Sequence, residues 1–229
     1  MNPGLVRFAR FAHPIAALFL VATAACGGND STSPSEPRAI ARVSADSQTT
    51  VAGVKMAQPL VVLVTGGGGT PLAGTPVEWV IGNGGGSLND STTTTDANGR
   101  AQATYTPGTV PGVARITAKA GNLSPLQFTI TLIAGPAASL QPLGFGNPAA
   151  VAGSILTLSV KLGDAFGNAI PGKTVTWAAA GGSISATTST TDAGGVASVT
   201  YTIGKDKGTY SLTATADGVP PTTFTVKAI

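Results

Sequence analysis

Apolar and polar positions alternate along most of the chain in short runs. Leu60, Val62 and Val64 fall on every second position; so do Leu158, Val160 and Leu162, with Thr157, Ser159 and Lys161 between and beside them. A period of two puts one face in a core and the other in water, so these runs predict half-buried β-strands. Turns bearing glycine cut the runs. Two of them share one design: Thr95-Asp96-Ala97-Asn98-Gly99-Arg100-Ala101 and Thr191-Asp192-Ala193-Gly194-Gly195-Val196-Ala197. In each, an Asp can bond its own turn amides and Gly99 or Gly195 tolerates positive φ, which predicts a hairpin turn between two strands. Asp192 follows Asp96 by 96 positions, a spacing that predicts a duplicated domain.

The copies agree beyond the turns. Gly74-Thr75-Pro76-Val77-Glu78-Trp79 answers to Gly172-Lys173-Thr174-Val175-Thr176-Trp177, and Gly86-Ser87-Leu88 to Gly182-Ser183-Ile184. Ala101, Ala103 and Tyr105 share a face as Ala197, Val199 and Tyr201 do. Trp79 and Trp177 are in phase with Val77 and Val175, so the core reading is preferred over a binding role, and the same holds for Tyr105 and Tyr201. About seven short strands per copy, without helical stretches, predict an all-β protein of two tandem immunoglobulin-like β-sandwiches. The boundaries are drawn at 38–134 and 135–229.

The segment before residue 38 has another character. Arg7, Arg10 and His13 precede an apolar run from Ile15 to Val21, and Ala22-Thr23-Ala24-Ala25 leads into Cys26, the single cysteine. This is the pattern of a secretory signal peptide over 1–25, with a run too short to span a bilayer. Ala24-Ala25-Cys26 resembles a bacterial lipoprotein processing site, with Thr23 where Leu is usual; Cys26 is the lipidation candidate. Residues 26–37, rich in Gly, Ser, Asn and Pro, read as a flexible tether. Removal of Arg7 and Arg10 leaves 11 basic against 10 acidic side chains. A nearly neutral chain without a basic stripe disfavours nucleic acid as a partner.

The order Pro-Gly-x-x-Val-x-Trp, Gly-Ser-aliphatic, Thr-Asp-x-x-Gly-x-Ala, Tyr, Gly, aliphatic-Thr-Ala resembles the bacterial Ig-like domain, group 1, the module of the invasin and intimin adhesins. The likeness is clearest from Asp164-Ala165-Phe166-Gly167-Asn168 through Ala214, and weaker from Gly69 through Ala118, where Ala73 replaces the motif Pro. It implies exported, rod-like spacer domains at the outer membrane or cell surface, and no receptor by itself. The expected partners are a membrane, through a lipid on Cys26, and a surface protein or glycan; no small-molecule substrate is expected. The short connection Leu132-Ile133-Ala134-Gly135-Pro136 predicts a semi-rigid tandem.

Candidate chemistry is sparse. Loss of His13 with the signal would leave no imidazole, and an acylated Cys26 no thiol, which removes Ser-His and Cys-His catalysis and ordinary His or Cys metal sites. Asp96, Asp164, Asp192 and Asp206 each occupy a separate loop, without the facing carboxylate that glycosidase chemistry needs. The calcium-like start Asp96-Ala97-Asn98-Gly99 reaches Pro107 at its twelfth position instead of Glu. A weak calcium site between the copies is left open. The glycine runs at 66–69 and 82–86 lack the Lys-Ser/Thr of a phosphate loop. The expectation is therefore a non-enzymatic protein with no cofactor and no catalytic residue. Phe145 and Phe166 are the candidate exposed contacts, with packing at the domain junction as the alternative for both. The rival expectation is a carbohydrate-binding or periplasmic assembly accessory module, which calls for a row of exposed aromatics.

Overall fold

The computed structural model describes residues 36–144 and 149–229. The signal segment, His13, Cys26, most of the tether, and Phe145 lie outside the described residues. Thr, Val, Ile and Ala fill the strands, and glycines with positive φ separate them. The first repeat comprises β1 (Ala39–Arg42), β2 (Ser47–Val51), β3 (Leu60–Thr65), β4 (Pro76–Asn83), β5 (Ser87–Leu88), β6 (Thr92–Thr94), β7 (Arg100–Ala103), β8 (Tyr105–Thr106), β9 (Gly112–Ala120) and β10 (Leu126–Ile133). The second comprises β11 (Ser139–Leu143), β12 (Ala149–Ala150), β13 (Ile155–Gly163), β14 (Thr174–Ala180), β15 (Ser183–Ile184), β16 (Thr188–Thr190), β17 (Val196–Thr202), β18 (Gly208–Ala216) and β19 (Thr222–Ala228).

Each repeat is built from two main sheets. In the first they run β1-β3-β7 and β2-β10-β9-β4-β6, with a short β5-β8 pair beside them; in the second, β11-β13-β17-β15 and β12-β19-β18-β14-β16. Inward side chains from both sheets meet in one cluster per repeat. Val62 and Ala101 from one sheet join Trp79, Ile116 and Phe128 from the other; Val160 and Ala197 likewise join Trp177, Leu212 and Phe224. Trp79 and Trp177 are each 2% exposed, so their alternation with Val77 and Val175 carries them into the core. Their rings sit 6.2 Å from Phe128 and 6.4 Å from Phe224, both tilted by 31°. Each indole N–H finds a hydroxyl: Trp79 Nε1 donates to Thr93 Oγ1 and Trp177 Nε1 to Ser189 Oγ, both at 2.8 Å.

Two sequence expectations are corrected. The Asp96 and Asp192 turns do not close hairpins: β6 pairs with β4 in one sheet while β7 pairs with β3 in the other, and β16 and β17 divide in the same way. Alternation identifies two neighbouring strands but not their pairing partners, and here the turn carries the chain across the core. Among the described residues the strand count also exceeds seven per copy, at 10 and 9. In the first repeat the chain breaks at Thr104 between β7 and β8, whereas β17 runs unbroken through the equivalent Thr200.

The first strand of the sandwich changes sheets. β1 lies antiparallel to β3, but β2 lies parallel to β10, with Ser47–Val51 in register with Thr129–Ile133. The crossing is pinned from both sides. Arg42 donates from Nε to the Gln127 carbonyl at 3.0 Å and lies 5.7 Å from the Phe128 ring centroid, while Asp46 accepts the Thr129 amide at 3.2 Å. In the second repeat, among the described residues, Ala149 and Ala150 of β12 lie parallel to Lys227 and Ala228 of β19.

Candidate functional site at the joint between the repeats

Between β10 and β11 the chain has five residues, 134–138, and they are held from the second repeat. The loop after β13, Asp164-Ala165-Phe166-Gly167-Asn168, folds around its own carboxylate. Asp164 Oδ1 accepts the Phe166 and Asn168 backbone N–H groups, each at 2.9 Å. Oδ2 accepts the Asn168 side-chain amide and the Gly135 backbone N–H, again at 2.9 Å. Asn168 Nδ2 also reaches across to the Thr109 carbonyl of the first repeat at 2.7 Å. The Phe166 ring lies over Gly53, where any Cβ would stand 2.7 Å from Cε2, so the ring seats there because that residue has no side chain. One carboxylate thus shapes the loop and holds the connection.

Asp164 is only 3% exposed. Burial pushes its carboxyl up, but hydrogen bonds from the Asn168 amide and from the Gly135, Asn168 and Phe166 N–H groups outweigh that and hold it below the ordinary carboxylate value. The ionised form is the one that can accept all four donors. The matching loop of the first repeat has related hydrogen bonds and none of this chemistry. Gly66 N donates to Thr70 O as Asp164 N does to Asn168 O, and Leu72 N to Val64 O as Ile170 N does to Leu162 O. Yet Gly66-Gly67-Gly68-Gly69-Thr70 offers no carboxylate, ring or amide. Beside the joint runs a groove of about 700 Å³ lined by Val51, Pro136, Leu162, Ile170, Lys173 and Asp217.

The remaining candidate residues are separated. Asp96 Oδ1 accepts the Asn98 and Arg100 amides at 2.8 and 2.9 Å, and Asp192 Oδ1 accepts those of Gly194 and Val196 at 2.8 and 2.9 Å. The Arg100 amide, above all, holds the Asp96 carboxyl below its ordinary value. Gly99 and Gly195, at φ of 71° and 73°, bring the turn against the Val64 and Leu162 carbonyls, each 2.6 Å from where a Cβ would sit. Tyr105 and Tyr201 are buried, donate to the Gly85 and Gly181 carbonyls at 2.6 and 2.7 Å, and burial pushes both phenols up. Asp206 uses its backbone carbonyl, which accepts the Tyr210 hydroxyl at 2.9 Å. Among the described residues no three His, Cys, Asp or Glu side chains converge as a metal site. A polar cleft of about 560 Å³ on the first repeat gathers Asn89, Asp90, Asp96, Arg100 and Gln102.

By sequence Asp164 is a lone acid in a loop, and its role at the joint emerges only from the fold. A signal existed: Asp-Ala-Phe-Gly-Asn stands where the first copy has four glycines and a Thr.

Comparison with known proteins agrees with this architecture. The family model described as bacterial Ig-like domain (group 1) matches residues 40–133 and 147–229. The Escherichia coli adhesin FdeC is 21% identical, with 83% of this chain and 64% of that one covered and a TM-score of 0.52. The Yersinia pseudotuberculosis adhesin InvE is 19% identical, over 82% of this chain and 58% of that one, with a TM-score of 0.41. The D0-D1 domain of intimin is 20% identical, over 82% of this chain and 98% of its own length, with a TM-score of 0.35. The chain spans less than two thirds of FdeC and InvE. No curated protein sequence matches it.

Proposed function

Since this chain belongs to the bacterial Ig-like domain (group 1) family, we propose that it is a non-enzymatic, lipid-anchored protein of the cell envelope. Its two repeats serve as a stiff scaffold in adhesion or surface spacing. The observation that carries the reading is the joint: a buried carboxylate on the connection, an Asn amide on the Thr109 carbonyl and a Phe ring on Gly53 fix one repeat on the next. A spacer needs that, because a freely swivelling connection would leave the position of its far end undetermined. Export, the Cys26 lipid and the tether supply the base in this reading, with the outer membrane or cell surface as the site. FdeC, whose fold the chain shares, is an adhesin; a surface protein or glycan is the corresponding partner class here.

The rival role of carbohydrate-binding or assembly accessory calls for exposed aromatics in a row. Phe166 is the one aromatic among the exposed large apolar side chains described, and it is pressed onto Gly53. The test is intact mass and detergent partitioning of the protein from its native membrane, beside Cys26→Ala, with protease accessibility read on the same intact cells. A diacyl or triacyl mass lost in the variant, with cleavage on intact cells, is the expected result. An unmodified, soluble protein overturns the anchor, and protection from protease on intact cells overturns outward display.

A further inference from the structure

We propose that the polar cleft on the first repeat binds the end of a glycan, a neutral hexose held by Asp90, Arg100 and Gln102 over a floor of Val43 and Val61. The inference rests on the adhesion role proposed above and gives it a ligand class and a place. The cleft lies against β3 and β7, where Gln102 stands opposite Val61 and Arg100 opposite Leu63. Its volume of about 560 Å³ falls within the roughly 300–1,000 Å³ of small-ligand sites. Val43 is 42% exposed and Val61 half-buried, so the apolar floor is open to the C–H face of a sugar ring. The polar walls are held from behind. Asn89 Oδ1 accepts the Thr104 amide, and its Nδ2 donates to Asp90 Oδ2 at 2.7 Å, which orients that carboxylate. Asp96 Oδ1 accepts the Arg100 amide at 2.9 Å, and Thr93 Oγ1 accepts the Trp79 indole N–H at 2.8 Å. Fixed walls of this kind spare a ligand the cost of ordering them.

The chemistry of the walls selects the ligand. A carboxylate accepts hydroxyl protons, while a guanidinium and an amide donate to hydroxyl oxygens, so together they match a polyol. Among the described residues, no hydrogen bond within the protein occupies the Arg100 guanidinium or the Gln102 side-chain amide. Asp90 and Asp96 against one Arg100 leave the cleft net negative, which disfavours an anionic sugar or a phosphate. Hydrogen bonds to a single sugar replace the row of rings that a carbohydrate platform needs. The second repeat shows that the sandwich folds without these side chains. Ser185 does there what Asn89 does for Thr104, its Oγ accepting the Thr200 amide at 3.2 Å. Asp90, Arg100 and Gln102 are replaced by Ala186, Val196 and Ser198. Ser198 meets Ser159, in the place of Val61, Oγ to Oγ at 2.8 Å. The hydroxyls of the second copy thus satisfy each other, and the first copy alone offers charged and amide groups at these places.

The test titrates the mature chain, made without lipid, with the methyl glycosides of glucose, galactose and mannose, and follows its ¹H–¹⁵N spectrum. Saturable shifts at the Asn89, Arg100 and Gln102 side chains are expected with at least one of them, with a Kd on the order of 1 mM. Asp90→Ala or Arg100→Val, each supplying the residue type of the second repeat, should weaken that binding by about tenfold or more and leave melting unchanged. Should these variants fail to fold, a reciprocal graft replaces them: Ser159→Val, Ser185→Asn, Ala186→Asp, Val196→Arg and Ser198→Gln are expected to add a second binding site. No saturable shift with any of the three glycosides, or shifts that survive both substitutions, would overturn the proposal. A response confined to a trilysine peptide would overturn it too, and make the cleft a docking point for protein. An unresponsive cleft leaves the anchored spacer standing, whereas a soluble, unmodified protein in the mass and partitioning test removes the anchor while the sugar shifts remain.

Discussion

Replacing Asp164 by Ala removes the acceptor for four N–H groups, three within its loop and one on the connection, all at 2.9 Å. A hydrogen bond to a charged group is worth roughly 1.5–3 kcal/mol when its loss leaves the donor dry. The Phe166 amide belongs to an exposed residue and the Asn168 amide to a half-buried one, so water can replace part of what they lose. Only the Gly135 N–H loses a partner that ties the connection to the loop, while the Asn168 side chain keeps its bond to the Thr109 carbonyl, and the net cost is about 2–4 kcal/mol. For a domain of this size that is a fall of about 10–25 °C in the melting of the second repeat. The loop should keep its path, because Gly66 N still meets Thr70 O in the first repeat without any carboxylate. Calorimetry reads the second-repeat transition, and amide ¹⁵N relaxation reads whether the repeats tumble as one body. The variant is expected to melt earlier and show two separate correlation times. A shift of less than about 3 °C with tumbling unchanged would refute the assignment of Asp164 as the pin of the joint.

Thr191, 4% exposed, accepts the Lys173 amide and donates to the Ile170 carbonyl, both at 2.8 Å. Thr191→Val therefore leaves the buried Ile170 carbonyl and the more accessible Lys173 amide without their partner and should cost about 1–3 kcal/mol in urea unfolding, whereas a change under about 0.5 kcal/mol would contradict that role. Gly195→Ala places a methyl 2.6 Å from the Leu162 carbonyl at a φ of 73°, and should destabilise the second repeat by more than about 2 kcal/mol; a neutral result would show that the turn shifts freely. Stability should also bend at both ends of the pH scale. Asp96 and Asp164 have carboxyls held below 3.8, so what they add is complete above that value and is lost as pH falls through their lower folded values. Tyr105 and Tyr201 have phenols pushed above 10.0, so their contribution is complete below pH 10.0 and is lost as pH rises through the higher folded values. Melting scanned against pH checks both limbs, and Tyr105→Phe with Tyr201→Phe should flatten the alkaline one.

Much of the sandwich is legible in the sequence because period-two alternation reports burial directly. Trp79 with Val77, and Tyr105 with Ala101 and Ala103, declare their face without knowledge of the partner strand. Which strand lies beside which is a different question, settled by contacts between residues far apart in the chain. For that reason the Asp96 turn reads as a hairpin in sequence and is a crossing between sheets in space. The joint was hidden for a related reason: Asp164 meets Gly135, 29 positions earlier, and Asn168 meets Thr109, 59 positions earlier. The sequence shows Asp-Ala-Phe-Gly-Asn as a turn, and only the duplicated loop of glycines hints that it has a second task.

The parallel pairing of β2 with β10 has a mechanical meaning. Tension applied through the two ends of the first repeat draws these strands along their length in opposite directions, so the bonds of five registered pairs are loaded together in shear and must fail together. Under a rising pull the first repeat should therefore hold until all five pairs give way at once.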